Sequence, residues 1–309
     1  MFDAIVVGGS FAGISAALQL ARARRQVLVV DAGQPRNRFA AAAHGFYGHD
    51  GRPPLVIRDE AQRQLAAYPN VTLVQGEATA ALRMDDSFVV DINGPDGLRQ
   101  ERGRRLVLTT GVRDELPPIP GLAERWGSTV LHCPYCHGYE VGGGPIGVLG
   151  GHPHTLQKGA MFADWGPTTI FLEDGAEPDA AQAALLRQRG VTIERCRVVA
   201  LVGAAPALQG VRLADGRIVR ADALFVAPRT QPASPLAAQL GCAFDDGMTG
   251  PHLRVDDFRQ TTVPGVFAAG DVSSAMHNGT LAAAAGVMAG FQAHQSLVFG
   301  LPAAVSSDM

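Results

Sequence analysis

Ala4-Ile5-Val6-Val7-Gly8-Gly9-Ser10-Phe11-Ala12-Gly13 is the stretch on which the fold reading turns. A short apolar run, then glycines, then Ile14, Ala17, Leu18 and Ala21 at helical spacing, predicts a buried parallel strand, a tight turn and a helix. The helical pattern stops at Arg22-Ala23-Arg24-Arg25. Val27-Leu28-Val29-Val30 then supplies a second strand, ending at Asp31, 18 residues beyond Gly13. Bare N–H groups at such a turn, together with the positive helix end, suit a pyrophosphate; an acid after the second strand accepts from ribose hydroxyls. The fingerprint departs from the ideal at one place. Gly8 and Gly13 fit the first and third positions, Gly9 is additional, and Ser10 stands where the second glycine belongs. Serine is small enough to let a phosphate approach. A bare structural turn is the alternative reading.

Working outward, the pattern repeats. Ile146-Gly147-Val148-Leu149 runs into Gly150-Gly151-His152-Pro153, a helix near Thr155 to Trp165, and a strand Thr168 to Leu172 that ends in Glu173-Asp174. Two strand–turn–helix–strand units in one chain are an internal repeat of architecture. Between them Val71–Val74, Phe88–Ile92 and Leu106–Thr109 read as strands. Beyond them Val191–Val202, Gly210–Leu213 and Ala223–Ala227 do the same. Arg113–Pro120 and Asp245–Pro251 carry linker composition. The expected organisation is therefore 1–113 and 245–309 as one dinucleotide-binding domain, with 114–244 inserted as a second. The fold class is α/β with two Rossmann-like domains.

Composition narrows the partners. With 309 residues, 47% apolar and 18% charged, the chain has ample core-forming material. Its net charge of −3 gives no basic footprint for nucleic acid. Lys158, the only lysine, precedes Gly159, so no Walker-type loop is present. The N-terminus reads as a strand start and not as a signal peptide. Val272 to Ser307 lacks any Asp, Glu, Lys or Arg, but its Ala, Gly, His277, Asn278, Gln292, His294 and Gln295 predict a buried helix and not a membrane span. Cys196 and Cys242 stand alone and read as core residues.

The chemistry concentrates in His132-Cys133-Pro134-Tyr135-Cys136-His137-Gly138-Tyr139-Glu140. Two thiols in Cys-x-x-Cys close a small disulfide ring, and flanking histidines can move the proton that exchange requires. In a reducing cytosol such a pair is more often catalytic than structural. A zinc site formed with His132 and His137 is an alternative, weakened because all four ligands fall within six residues and no second Cys-x-x-Cys follows. A glutaredoxin-type unit is another, weakened by the mid-chain position. No metal is expected.

Near the end, Thr262-Val263-Pro264-Gly265-Val266-Phe267-Ala268-Ala269-Gly270-Asp271 resembles the second FAD-binding signature of flavoproteins with two dinucleotide domains. The order of glycine turn, Cys-x-x-Cys and Gly-Asp resembles the low-molecular-weight thioredoxin reductase family over essentially the whole chain. Within it, Cys-Pro-Tyr-Cys-His-Gly-Tyr-Glu, Asp31-Ala-Gly-Gln-Pro-Arg36-Asn37 and His44-Gly45 are most similar to the FAD-dependent dithiol oxidases of gliotoxin- and holomycin-type products. The resemblance implies three-layer ββα domains. It implies FAD at Gly8, Gly9, Ser10, Gly13, Asp31, Arg36, Asn37, His44, Ala78, Thr110, Gly111, Gly270, Asp271 and Thr280, with Ala78 offering backbone to adenine and Asp271 binding the ribityl chain. It further implies Cys136 facing the flavin, Cys133 exchanging with substrate, His137 as acid/base where the reductases carry Asp, and a cytoplasmic homodimer.

The second turn departs from a reductase. His152 sits where the reductases keep glycine, and Glu173-Asp174 stands where NADPH-dependent members carry arginines for the 2′-phosphate. Use of NAD(P)H is accordingly not expected to be productive; an acid there suits NADH or no nicotinamide at all. The favoured expectation is oxidation of a small dithiol, with O2 or another acceptor taking the electrons. The alternatives are an NAD(P)H-dependent reductase acting on thioredoxin or a small disulfide, and a non-catalytic FAD-containing sensor.

Overall fold

The computed structural model describes residues 1–152 and 154–301. The chain divides into two compact units. The first comprises 1–38, 54–114 and the chain from Thr230 onward; the second comprises 39–53 and 115–229.

In the first unit β1 (Phe2–Val7), β2 (Val27–Asp31) and β3 (Val71–Gln75) run parallel, with α1 (Phe11–Arg22) and α2 (Pro54–Ala66) in the connections. β4 (Glu77–Met84) and β5 (Ser87–Gly94) lead antiparallel into β6 (Gly97–Leu108). β6 joins the parallel and antiparallel parts of one seven-stranded sheet. Its first half pairs with β5, while its second half pairs in parallel with β1 and with strand Val266–Ala268. The period-2 alternation of β1 explains the layering. Ala4 and Val6 face a core with Ile14, Ala17 and Leu20 of α1 and Ala289 and Ala293 of the C-terminal helix Gly279–Phe299. Ile5 and Val7 face the opposite core with Phe88, Val90 and Ile92 of the antiparallel strands. Helices, parallel strands and antiparallel strands thus form three layers.

The second unit repeats the plan. A parallel sheet orders its strands Thr192–Glu194, Thr168–Phe171, Ile146–Leu149, Ala223–Phe225 and Val130–Leu131. An antiparallel sheet of Val198–Val202, Gly210–Leu213 and Ile218–Arg220 covers one side, with Leu201, Val211 and Leu213 in the shared core. Helix Ala180–Gln188 packs on the other through Leu186.

The chain crosses between units through Val112–Glu115 and Arg229–Pro232, which pair as a two-stranded ribbon. Asp245–Pro251, expected as a linker, instead turns a hairpin between Phe244–Asp246 and Pro251–Leu253 whose Leu253 lies in the first unit's core. Asp- and Gly-rich composition signals a reversal of direction, and a hairpin turn satisfies it as well as a linker does. Among the described residues no helix is long and apolar enough to cross a membrane.

Candidate active site

The first glycine turn is shaped by what it excludes. Gly8 has φ +109°, outside the range of L side chains, and a Cβ there would strike the Thr109 carbonyl. A Cβ on Gly9 would come within 2.6 Å of Asp31 Cβ, and one on Gly13 would overlap the Gly8 carbonyl. Ser10 opens α1 without a side-chain cap, so its hydroxyl does not occupy the helix end. Asp31 is held from both sides. Oδ1 accepts the Gly33 N–H at 3.1 Å, and Oδ2 accepts Gln62 Nε2 at 2.8 Å. Gln62 Nε2 also donates to the Gly9 carbonyl at 2.8 Å, tying the carboxylate to the turn. A side-chain-free turn beside an open helix end, with an oriented carboxylate at the next strand, fits the pyrophosphate and ribose of a dinucleotide. Gln62 carries no sequence signal; it is one polar residue on the mostly exposed α2.

Gly270 and Asp271 are brought to the same end of the sheet. Gly270 has φ +81°, and a Cβ on it would sit 3.0 Å from Ala12 Cβ, which places the closing motif against the start of α1. Asp271 Oδ2 accepts Arg36 Nη1 at 3.2 Å. Arg36 grips Asp114 with two further bonds, Nε to Oδ2 at 2.9 Å and Nη2 to Oδ1 at 2.5 Å. Burial works against the Arg36 charge, but the bonds and charges of Asp114 and Asp271 outweigh it and raise its pKa. His277 faces the same group. Burial lowers its pKa, Asp271 acts the other way, and the Arg36 charge lowers it further. Asp114 was missed from sequence, since nothing in the spacing joins it to Arg36.

The remaining expected ligands take these places. Asn37 lies in the short 3-10 turn Arg36–Phe39, and Ala78 is buried in β4 opposite Ile92. Thr110 and Gly111 follow β6, with Gly111 at φ +69° and its carbonyl accepting from Ala233 N–H at 3.1 Å. Thr280 opens the C-terminal helix, where Asn278 Oδ1 accepts the N–H groups of Thr280 and Leu281 at 2.9 and 3.2 Å. All except His44 belong to the first unit. Two glycines of the C-terminal helix serve its crossing with α1. A Cβ on Gly286 would overlap the Ala12 carbonyl, and one on Gly290 would lie 2.6 Å from that of Ala16.

In the second unit, strand Val130–Leu131 delivers Cys133 as the N-cap of α3 (Pro134–His137), with Pro134 at the first helical position. Cys133 and Cys136 are joined as a disulfide, with Cα atoms 5.3 Å apart. Among the described residues no three His, Cys, Asp or Glu side chains converge as a metal site. A Cβ on Gly138 would strike the Trp165 ring and the Pro134 carbonyl at 2.6 Å, so the residue after His137 has no room for a side chain. Tyr135 is 73% exposed and meets Trp165 edge-on at 5.3 Å. Burial lowers the pKa of His137; Glu140 opposes that and His44 adds to it. His44 belongs to the 39–53 segment of this unit, its Nε2 3.4 Å from Glu140 Oε1.

At the second glycine turn, His152 Nδ1 accepts the His154 N–H at 3.2 Å and the two rings lie 5.6 Å apart; Pro153 lies outside the described residues. Glu173, at φ +51°, accepts the Val198 N–H at 2.8 Å. Two arginines in the loops beside these strands are paired with acids. Arg195 holds Glu177 at 2.7 and 2.8 Å, and Arg217 holds Asp215 and Glu194.

Residues 2–290 match the family model described as pyridine nucleotide-disulphide oxidoreductase. Thioredoxin reductase tcpT of Claviceps purpurea is 31% identical over 308 residues, covering 97% of this chain and 95% of that protein. Thioredoxin reductase sirT of Leptosphaeria maculans is 30% identical over 94% of this chain and 92% of its own length. Among solved structures, an oxidoreductase from Agrobacterium tumefaciens is similar with TM-score 0.91 at 47% identity, covering 96% and 99% of the two chains. HlmI is similar with TM-score 0.86 at 36% identity, covering 96% and 92%.

Proposed function

Because the chain belongs to the pyridine nucleotide-disulphide oxidoreductase family, and so is a flavoprotein oxidoreductase, we propose that it oxidises a small dithiol to a disulfide through Cys133 and Cys136. The incoming thiol loses its proton to His137, and its thiolate attacks Cys133 Sγ. The Cys133–Cys136 bond breaks and Cys136 leaves as a thiolate. A second substrate thiol then displaces Cys133, closing the product disulfide. Substrate loses two electrons and two protons, and the cysteine pair gains the electrons. FAD, when bound, supplies the two-electron sink that returns the pair to its disulfide and hands the electrons to O2 or another acceptor. The residues proposed to hold it are those of the first unit, from Gly8 to Thr280, described above, together with His44 of the second.

One observation carries the direction: the second nucleotide turn offers His152 and an acid, Glu173, while Arg195 and Arg217 are spent on Glu177, Glu194 and Asp215. An acidic strand end repels a 2′-phosphate, so entry of electrons from NADPH is disfavoured and entry from thiols is left. The second reading is an NAD(P)H-dependent reductase of a thioredoxin-like protein or small disulfide. It is favoured by the printed names of the fungal relatives. The proposal carries with it a cytoplasmic homodimer. Exposed Leu281, Met288, Phe291 and Val298, recurring along one face of the C-terminal helix, supply an apolar stripe for a second copy.

Cys133→Ser and Cys136→Ser test the relay. Oxygen consumption with a panel of small dithiols is expected to fall to background in both, with the yellow FAD retained after purification. Unchanged turnover in either variant would remove the cysteine pair from the reaction.

A further inference from the structure

We propose that Glu140 is a positioning residue of the dithiol site, its carboxylate shared between the imidazoles of His44 and His137 so that it balances the charge His137 acquires with a thiol proton. The inference deepens the dithiol reading and rests on it. Glu140 lies three residues after His137 in a continuous run of helical turns, α3 followed by the 3-10 turn Tyr139–Val141, which puts the two side chains on one face. From the other side His44 Nε2 stands 3.4 Å from Glu140 Oε1, and His44 Nδ1 stands 3.7 Å from Asp50 Oδ1.

The loop that brings His44 there is closed on itself. Asp50 Oδ1 accepts the Gly45 N–H at 2.8 Å, and Ala43 pairs with Arg52 in an isolated antiparallel bridge. Glu140 and Asp50 stand beside His44, and Glu140 and His44 act in opposite senses on the His137 charge. Two rings compete for one carboxylate. A proton on His44 makes one on His137 less favourable, and Glu140 makes the His137 proton more favourable.

This arrangement gives the exchange a place for its first proton. The substrate thiol passes its proton to His137 as its sulfur bonds Cys133. Cys136 departs with the electron pair of the broken S–S bond, and the new imidazolium is balanced by Glu140. The second substrate thiol gives its proton to the Cys133 sulfur that it displaces. Electrons and protons from the dithiol both end on Cys133, Cys136 and His137, with the disulfide as oxidant.

The test is a single turnover of oxidised holoenzyme with dithiothreitol, followed by loss of dithiothreitol thiols across pH. It is paired with NMR titration of the His137 ring. Glu140→Gln is expected to slow the turnover about threefold or more and to move the acidic limb of the profile, and the His137 titration, to lower pH. Glu140→Asp should recover part of the rate. His44→Asn should move both readouts to higher pH, because it removes the competing cation. Limbs that stay where the wild type has them, or that move the same way in both variants, would overturn the assignment even if the rate falls. Thiol loss that persists in Cys133→Ser would instead remove the dithiol reading itself.

Discussion

A single methyl group at residue 13 separates a turn that can hold a phosphate from one that cannot close. Gly13→Ala would drive a Cβ into the Gly8 carbonyl and against Thr109 Oγ1 at 2.7 Å. Overpacking of this kind costs on the order of 1–3 kcal/mol. The expected outcome is a lower denaturation midpoint and a protein purified with substoichiometric FAD, read from the flavin-to-protein absorbance ratio; full FAD content at unchanged stability would contradict it. Residues of this kind were legible in the sequence, because steric exclusion leaves glycine as its trace. Those that orient the site by hydrogen bonds were not. Gln62, which locks Asp31 to the Gly9 carbonyl, and Asp114, which grips Arg36, are ordinary polar residues whose partners lie far away in the chain. His44 was legible as a candidate, but its neighbourhood was not. Its imidazole stands beside Glu140, a pairing no sequence spacing indicates.

Elements were readable where burial imposes a pattern. β1, β2 and the strands at Ile146–Leu149 and Thr168–Phe171 are apolar runs and appear where expected. β4 and the first half of β6 escaped notice because Arg83, Leu98, Arg99 and Gln100 leave them largely exposed, with no clean alternation to see. The C-terminal helix was visible as an uncharged segment, but its close crossing of α1 through Gly286 and Gly290 was not. Gly286→Leu would press the helix off the Ala12 carbonyl, and a lower thermal midpoint is expected, by about 1–3 kcal/mol of stability. Ala184→Leu, on the exposed face of helix Ala180–Gln188, is the control and should leave the midpoint near wild type. Equal behaviour of the two variants would refute the close crossing.

For the whole molecule, each unit carries one half-buried histidine whose pKa is lowered, chiefly by burial: His277 in the first and His137 in the second. The sign follows from linkage. The unfolded chain binds these protons at the ordinary value near 6.5, the folded chain only at lower pH. Their contribution to stability is complete above that ordinary value and is lost as pH falls toward and through the lowered folded values. Thermal midpoints should therefore decline on acidification from neutrality, and less so in the His137→Gln, His277→Gln double variant; an unchanged slope in that variant would contradict the burial. The doubling of the strand–turn–helix–strand unit was legible, since both glycine turns announce it. The hairpin at Phe244–Leu253 was not, because turn and linker share a composition.

On the proposed relay, electrons enter through Cys133 and Cys136 from a thiol. Anaerobic stopped-flow mixing of the FAD-loaded protein with dithiothreitol, NADH and NADPH in turn, followed by flavin absorbance, is the decisive measurement. Dithiothreitol should bleach the flavin of the wild type and not that of Cys136→Ser, while both nicotinamides bleach it slowly or not at all. Rapid bleaching by NADPH or NADH, or an undiminished response to dithiothreitol in Cys136→Ser, would contradict it.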